Sequence, residues 1–301
     1  MLELDYKSKI DYQVMKVKKA VIPAAGVGTR FLPITKSIPK EMLPIFDRPM
    51  LQYSIEQAAQ AGIEHVVLVI STGKESISTY FGSQPALKNL LKDKNQLDSL
   101  EQIKRIEDLV EISYVYQKQQ LGLGHAVMAA KTIIGNDPFA VFLPDEVSWS
   151  AKPSIGQLIE IFNQYNSSVI GIREVPPTSV SSLGIIKPRQ IANNLFEVMG
   201  LIEKPSFEEA PSNLGITGPY VLTPEVFESI GHIQPGVLGE IQLTDAIALL
   251  MQRQKVYACI VNGVRIDAGH PLGLLKASIH EALQRENVSY ELRDWLKNKL
   301  S

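Results

Sequence analysis

Between Ala24 and Pro44 the chain reads Ala24-Ala25-Gly26-Val27-Gly28-Thr29-Arg30, then Phe31-Leu32-Pro33-Ile34-Thr35-Lys36, then Pro39-Lys40-Glu41-Met42-Leu43-Pro44. The small residues let a backbone lie against a ligand with no side chain in the way. Their N–H groups can point at phosphate oxygens, as in an anion-binding nest. Arg30, Lys36 and Lys40 follow within one loop, so three cations share the place with those donors. This chemistry suits a polyphosphate. Two other readings fit part of the stretch: a glycine turn with solvated basic residues, and a dinucleotide fingerprint. Gly26 and Gly28 match the first two glycines of that fingerprint, but Phe31 stands where the third should be. A ring there obstructs close helix–strand packing. Pro33, Pro39 and Pro44 argue for a long loop rather than an immediate helix.

Two carboxylates stand in places that matter for such a ligand. Asp145 comes directly after the apolar run Phe139 to Leu143, and Asp267 comes after Val264-Arg265-Ile266. In a mostly parallel sheet, ligands sit outside the carboxyl ends of the strands. Either Asp alone reads as a turn or cap residue. Facing a triphosphate together they suit Mg²⁺, which is commonly held by one or two carboxylates plus phosphates. Glu203-Lys204-Pro205 reads, on residue types alone, as a surface ion pair worth roughly 0–1 kcal/mol. His125 opens a helix with no carboxylate partner in view and reads as structural. Cys259, among Val256, Ala258 and Ile260, reads as a small core residue. As the only cysteine it excludes an intramolecular disulfide and a thiolate metal cluster.

The run Gly-Val-Gly-Thr-Arg-Phe-Leu-Pro, followed by Lys-Glu-Met-Leu-Pro, resembles the signature of the sugar-1-phosphate nucleotidylyltransferases. Thr35-Lys36 and Pro39-Lys40-Glu41 are most similar to the bacterial branch that uses UTP and glucose 1-phosphate. The resemblance runs from about Lys18 to about His280. It implies UTP and glucose 1-phosphate as substrates, UDP-glucose and pyrophosphate as products, Mg²⁺ as cofactor, and a homodimer or homotetramer. It also implies roles. Ala25, Gly26, Gly28, Thr29, Glu41, Gln117 and Gly122 would hold the nucleotide, with Gln117 and Gly122 reading the base and Ala25, Gly26 and Glu41 completing that pocket. Asp145 and Asp267 would hold the metal. Gly184, Glu203 and Lys204 would hold the sugar phosphate, with Arg30, Lys40 and Lys204 serving catalysis. Two departures bear on substrate preference. Pro219 stands where the family usually has Arg or a similar polar residue, and His270-Pro271 replaces an Asn-Lys or Asp-Lys ending.

These residues must be positioned by the elements around them, and from Ala20 onward strands and helices alternate. Ala20 to Pro23 reads as a buried strand entering the glycine loop. Val66 to Ile70 is a strand covered on both faces. Helices are expected over Pro49 to Ala61, about Ser154 to Tyr165, about Glu240 to Gln252 and about Leu272 to Leu283. Strands are expected over Ile112 to Tyr116, Phe139 to Leu143, Ser168 to Ile172 and Lys255 to Val261. Residues 86–109 form a helical excursion whose plainest role is to cover the core. The fold class is α/β, a Rossmann-like mostly parallel mixed sheet flanked by helices, with a small β-rich sugar-binding subdomain. The expected division is an arm at 1–17, a nucleotidyltransferase domain at 18–285 with a β-rich flap at about 174–222, and a C-terminal helix at 286–301 that caps the core or meets another subunit.

Composition narrows the partners. The 301 residues are 45% hydrophobic and 21% charged, with 30 basic against 32 acidic side chains. No global basic field exists to hold nucleic acid or an anionic membrane, so a phosphate site must be local. No run approaches the roughly 18 apolar residues of a membrane span. The mixed charges of Met1 to Lys19 do not read as a secretory signal. A reducing cytoplasm is the expected compartment.

Overall fold

The computed structural model describes residues 16–236 and 239–300. Most of the expected N-terminal arm, residues 1–15, therefore lies outside the described residues. Among the described residues there are thirteen strands: β1 (Lys19–Pro23), β2 (Pro44–Ile45), β3 (Arg48–Pro49), β4 (His65–Ile70), β5 (Glu111–Tyr116), β6 (Phe139–Val141), β7 (Glu146–Trp149), β8 (Val169–Glu174), β9 (Gly184–Ala192), β10 (Leu195–Glu203), β11 (Leu214–Leu222), β12 (Tyr257–Ile260) and β13 (Val264–Asp267). The helices are α1 (Met50–Gln60), α2 (Glu75–Phe81), α3 (Pro85–Asp93), α4 (Leu97–Glu107), α5 (Leu123–Ala129), α6 (Lys131–Ile134), α7 (Ser154–Tyr165), α8 (Val226–His232), α9 (Leu243–Leu250), α10 (Pro271–Gln284) and α11 (Glu286–Leu300).

Nine strands make one mixed sheet in the order β5-β4-β1-β6-β11-β8-β12-β10-β9. Strands β5, β4, β1 and β6 pair in parallel, while β11 and β10 run against the others. Alternation of side chains splits the apolar residues between two faces. Val21, Val67, Val69, Val141 and Ile170 face one layer, covered by α5, α8 and α9. Ile22, Val66, Leu68, Ala140 and Val169 face the other, covered by α1, α2 and α7. This double cover explains why β1 and β4 are apolar without a polar alternation. Each fully buried Leu, Ile or Phe contributes about 1.5–3 kcal/mol relative to exposure. Phe139 stacks on Phe227 of α8 at 5.0 Å, tying the sheet centre to that layer.

Four features differ from the expectations. The strand carrying Asp267, β13, is not in the central sheet; it pairs only with β7, in a two-stranded ribbon. The β-rich stretch adds β9, β10 and β11 to the same sheet as the rest. Residues 86–109 form a helical hairpin that covers the core only at its end: Ile106 and Leu109 pack against the core and α3 and α4 bury Leu91 and Leu100, while Leu87, Leu90 and Leu97 are exposed. Finally, α11 does not cap the core, because Tyr290 and Trp295 point into solvent.

Candidate active site

Parallel strands deliver their carboxyl ends to one rim, and the loops leaving β1, β5 and β6 meet there. They enclose a cleft of about 360 Å³ lined by Ala25, Gly26, Lys40, Glu41, Gln117, Gly122 and Asp145. Seven of the residues singled out in the sequence are thus neighbours in space. Gly28 makes part of this possible. Its φ is +72°, and a Cβ on it would stand 3.0 Å from the Cβ of Lys40. Glycine therefore lets the Lys40 segment fold back against the loop. The Thr35 hydroxyl fixes the turn by donating to the Gly28 carbonyl at 2.9 Å. Thr29 and Arg30 are exposed at the end of the loop.

Lys40 Nζ donates to Asp145 Oδ2 at 2.6 Å. Burial works against both charges, but the two groups sustain each other. The Lys40 ammonium stays above its ordinary value, and the Asp145 carboxyl is held below its own, with a smaller contribution from Arg30. Arg30 therefore acts on the same place electrostatically. Lys36 does not share the cleft. It lines an adjacent recess with Thr35, Ser37, Ser71, Thr72 and Lys74, because the short turn at Ile34–Lys36 carries it to the far side of the loop.

The ribbon brings in Asp267. Residue Asp267 is the register partner of Glu146, and Ala268 N donates to the Asp145 carbonyl at 2.8 Å. Gly269 N donates to Asp267 Oδ1 at 2.8 Å. A Cβ on Gly269 would stand 2.9 Å from both Asp145 Oδ2 and Asp267 Oδ1, so the two carboxylates converge on one spot. Glu146, one residue on, pairs with Arg265 at 2.5 Å; burial, then the nearby Asp267 and Asp145, push its carboxyl up to about 7 despite that guanidinium. The departures in this region have local explanations. The His270 ring accepts from Gly273 N and caps α10, with Pro271 at the first helical position, a good start for a helix. Pro219 offers no donor, but Arg265 reaches across from β13 and donates to the Thr217 carbonyl at 2.6 Å.

Gly184 and Glu203 are register partners at the end of the β9–β10 hairpin. The Glu203 carboxylate and the Thr244 hydroxyl both close on Gly184, at 3.1 and 3.0 Å from the position of a Cβ there. Lys204 has φ +47°, a left-handed conformation that costs a non-glycine residue about 1 kcal/mol. It leaves a half-exposed ammonium 3.4 Å from Glu203. The segment before α9 joins the two halves: Glu240 lines the cleft and Thr244 meets Gly184.

Gln117 Nε2 lies 2.8 Å from His125 Nδ1, so the histidine orients the amide. Gly122 is closer to Glu240 and Ile241 than expected: a Cβ there would meet Glu240 Cβ and the Ile241 carbonyl at 2.9 Å. Its missing side chain makes room for protein. Four polar residues went unnoticed in the sequence: Lys74, Gln120, Glu240 and Thr244. Gln120 donates to the Ala25 carbonyl at 3.0 Å. Lys74 follows β4, and its place at the carboxyl end of a buried strand was the available signal.

A glycine loop, converging carboxylates and scattered cations at the rim of a sheet whose parallel part runs β5-β4-β1-β6 define a phosphoryl-handling α/β protein of the nucleotidyl transferase type. A family model described as nucleotidyl transferase matches residues 19–284, and the chain belongs to that family. It is 46% identical to a Staphylococcus epidermidis UTP–glucose-1-phosphate uridylyltransferase, over 94% of this chain and 98% of that protein. It is 47% identical to UTP–glucose-1-phosphate uridylyltransferase 2 of Staphylococcus saprophyticus over the same shares. Among solved structures, a UDP-glucose pyrophosphorylase complexed with UDP-glucose superposes with a TM-score of 0.81 at 40% identity, covering 89% of this chain and all of that one. The UTP-bound enzyme from Acinetobacter baumannii gives a TM-score of 0.86 at 38% identity, covering 93% and 98%.

Proposed function

We propose that this protein transfers the uridylyl group of UTP to glucose 1-phosphate, forming UDP-glucose and pyrophosphate. The observation that carries the reading is the single cleft where Ala25, Gly26, Gln117 and Gly122 stand beside Lys40 and Asp145, with Asp267 converging on the same carboxylate. A phosphate oxygen of the sugar phosphate attacks the α-phosphorus of UTP, and pyrophosphate leaves in line. The attacking oxygen is already ionised near neutral pH, so no general base is needed. Catalysis then rests on alignment and charge stabilisation. The glycine loop and Thr29 cradle the phosphates. Gln117, Gly122 and Glu41 bound the base. Arg30 and Lys40 neutralise the departing pyrophosphate, and Lys204 draws in the sugar phosphate. Glu203 accepts from sugar hydroxyls beside Gly184, with the β9–β10 hairpin as the sugar-binding flap.

The converging Asp145 and Asp267 carboxylates suit Mg²⁺, an oxygen-seeking ion. That the Lys40 ammonium sits on Asp145 supports a cation at this spot. Asp145 and Asp267 would hold the ion, which would supply charge neutralisation to the reacting phosphates. The reading also assigns the protein to the cytoplasm and to a homodimer or homotetramer.

A matrix of UTP, dTTP, CTP and GTP against several sugar 1-phosphates, read by pyrophosphate release with Mg²⁺, tests the function. UTP with glucose 1-phosphate should give the highest kcat/KM. A clear maximum elsewhere, or no release with any pair, overturns it.

A further inference from the structure

Lys74 has no role of its own in the proposed reaction, yet it is among the most buried charges of the chain, at 7% exposure. Its ammonium donates to the Ala24 carbonyl at 2.5 Å and to Glu41 Oε2 at 2.7 Å. One side chain thus pins three segments: the end of β1 where the glycine loop begins, the turn after β4, and the Lys40–Met42 turn. Glu41 is fully buried, and its other oxygen, Oε1, has no partner. A buried carboxylate oxygen without a donor is costly. Glu41 is also a wall residue of the cleft, next to Ala25, Gly26, Gln117 and Gly122. The missing donor is therefore sought in the cleft.

We propose that Lys74 is a positioning residue for nucleobase recognition: it ties Glu41 to the Ala24 carbonyl and so keeps one Glu41 oxygen as the acceptor that reads an N–H on the base edge. Uracil and thymine present such an N–H at N3; cytosine presents a lone pair there. The arrangement selects the first two and rejects the third, because cytosine would set lone pair against lone pair. Burial raises the Glu41 carboxyl and lowers the Lys74 amine, each opposed by the partner's charge, so neither group suits this place without the other. The inference rests on the reading of the cleft as a UTP site.

The test uses the full chain with Glu41→Gln, Lys74→Met and the double substitution, measuring UTP and CTP binding by calorimetry and turnover by pyrophosphate release. In Glu41→Gln the amide oxygen takes the Lys74 hydrogen bond, so the amide nitrogen faces the base. A donor replaces an acceptor, and the UTP-over-CTP preference should fall by about tenfold or more. In the Lys74→Met background nothing fixes the amide, and Glu41→Gln should change the preference by less than about threefold. Lys74→Met alone should raise KM for UTP about tenfold, with a smaller drop in kcat and little change in KM for glucose 1-phosphate. An unchanged preference in Glu41→Gln overturns the proposal, as does an equal shift in both backgrounds. Should Lys74→Met fail to fold, the double substitution leaves no unpaired charge and still supplies the comparison with Glu41→Gln. Calorimetry needs no turnover. A parent chain that binds UTP but releases no pyrophosphate would sink the function and leave the role of Lys74 standing.

Discussion

Replacing Gly269 by Ala tests the metal reading at its tightest point. The new Cβ would stand 2.9 Å from Asp145 Oδ2 and 2.9 Å from Asp267 Oδ1, where ordinary contact begins at 3.4 Å. Each oxygen must then retreat by about 0.5 Å, or the methyl must displace the backbone that holds Asp267 through the Gly269 N–H. Mg²⁺ demands near-octahedral oxygen ligands at about 2.0–2.1 Å, and metal sites tolerate deviations of about 0.2 Å. The required movement exceeds that tolerance. Divalent-ion affinity should drop about 10–100-fold, the usual effect of disturbing the supports of ligands. Turnover should fall about 10²–10³-fold, as when one charge-stabilising element is removed. The assay is Mn²⁺ binding by electron paramagnetic resonance in the presence of a non-reactive UTP analogue, alongside pyrophosphate release with Mg²⁺. Gly231→Ala in α8 serves as control, since the nearest atom to its Cβ is 3.9 Å away. If Gly269→Ala binds Mn²⁺ like the parent and turns over normally, the two carboxylates do not hold a shared ion.

Other substitutions separate the remaining roles. Lys204→Ala should raise KM for glucose 1-phosphate about 10–100-fold, the worth of one charge-assisted hydrogen bond, and leave KM for UTP within about twofold; an equal effect on both substrates removes Lys204 from the sugar-phosphate role. The Cys259 thiol is pushed up by burial to about 11 from 9.0, so the thiolate is disfavoured at every pH below that. Its alkylation in the folded protein should keep accelerating beyond pH 9, and at pH 8 should be about 100-fold slower than in urea; equal rates in both states would show an open thiol. Glu281 accepts from Arg48 at 2.7 Å, Trp149 at 2.7 Å and Arg285 at 2.9 Å. Glu281→Ala strands these donors and should cost about 2–4 kcal/mol, lowering Tm by about 3–6 °C, while activity of the folded protein stays within about twofold. An unaltered Tm in a thermal scan would show that the cluster is solvated.

The parts of the fold that depend on local pattern were legible from the chain. Val66 to Ile70 declares a doubly covered strand because both its faces are apolar. Pro49 to Ala61 declares a helix by period and by Gly62 at its end. The clustering of the residues around the cleft was legible for a related reason: they leave strand ends, and strand ends of a parallel sheet share a rim. Pairings between distant segments were not legible. Nothing in Val264 to Asp267 says that it leaves the central sheet for a ribbon with Glu146 to Trp149, because four residues carry no register information of their own. The Lys74–Glu41 pair spans 33 residues and depends on β1 and β4 lying side by side in the sheet. The leucines of 86–109 repeat at helical spacing whether the helices cover a core or stand off it as a hairpin.

The glycines show where such reading ends. A small residue in a sequence announces that something approaches the backbone, and a phosphate or a base is the natural candidate. In the folded protein the visitor is often another part of the chain. Lys40 occupies the space at Gly28, Glu240 and Ile241 that at Gly122, Thr244 and Glu203 that at Gly184, and two carboxylates that at Gly269. Each of these visitors except Ile241 is polar, and each is thereby held at the cleft or its rim. On the proposed reading the glycines serve recognition one step removed: they admit the side chains assigned to the ligand. An alanine at any of the four should act on substrate or metal binding through a displaced neighbour, and at Gly269 the displaced neighbours are the two carboxylates themselves.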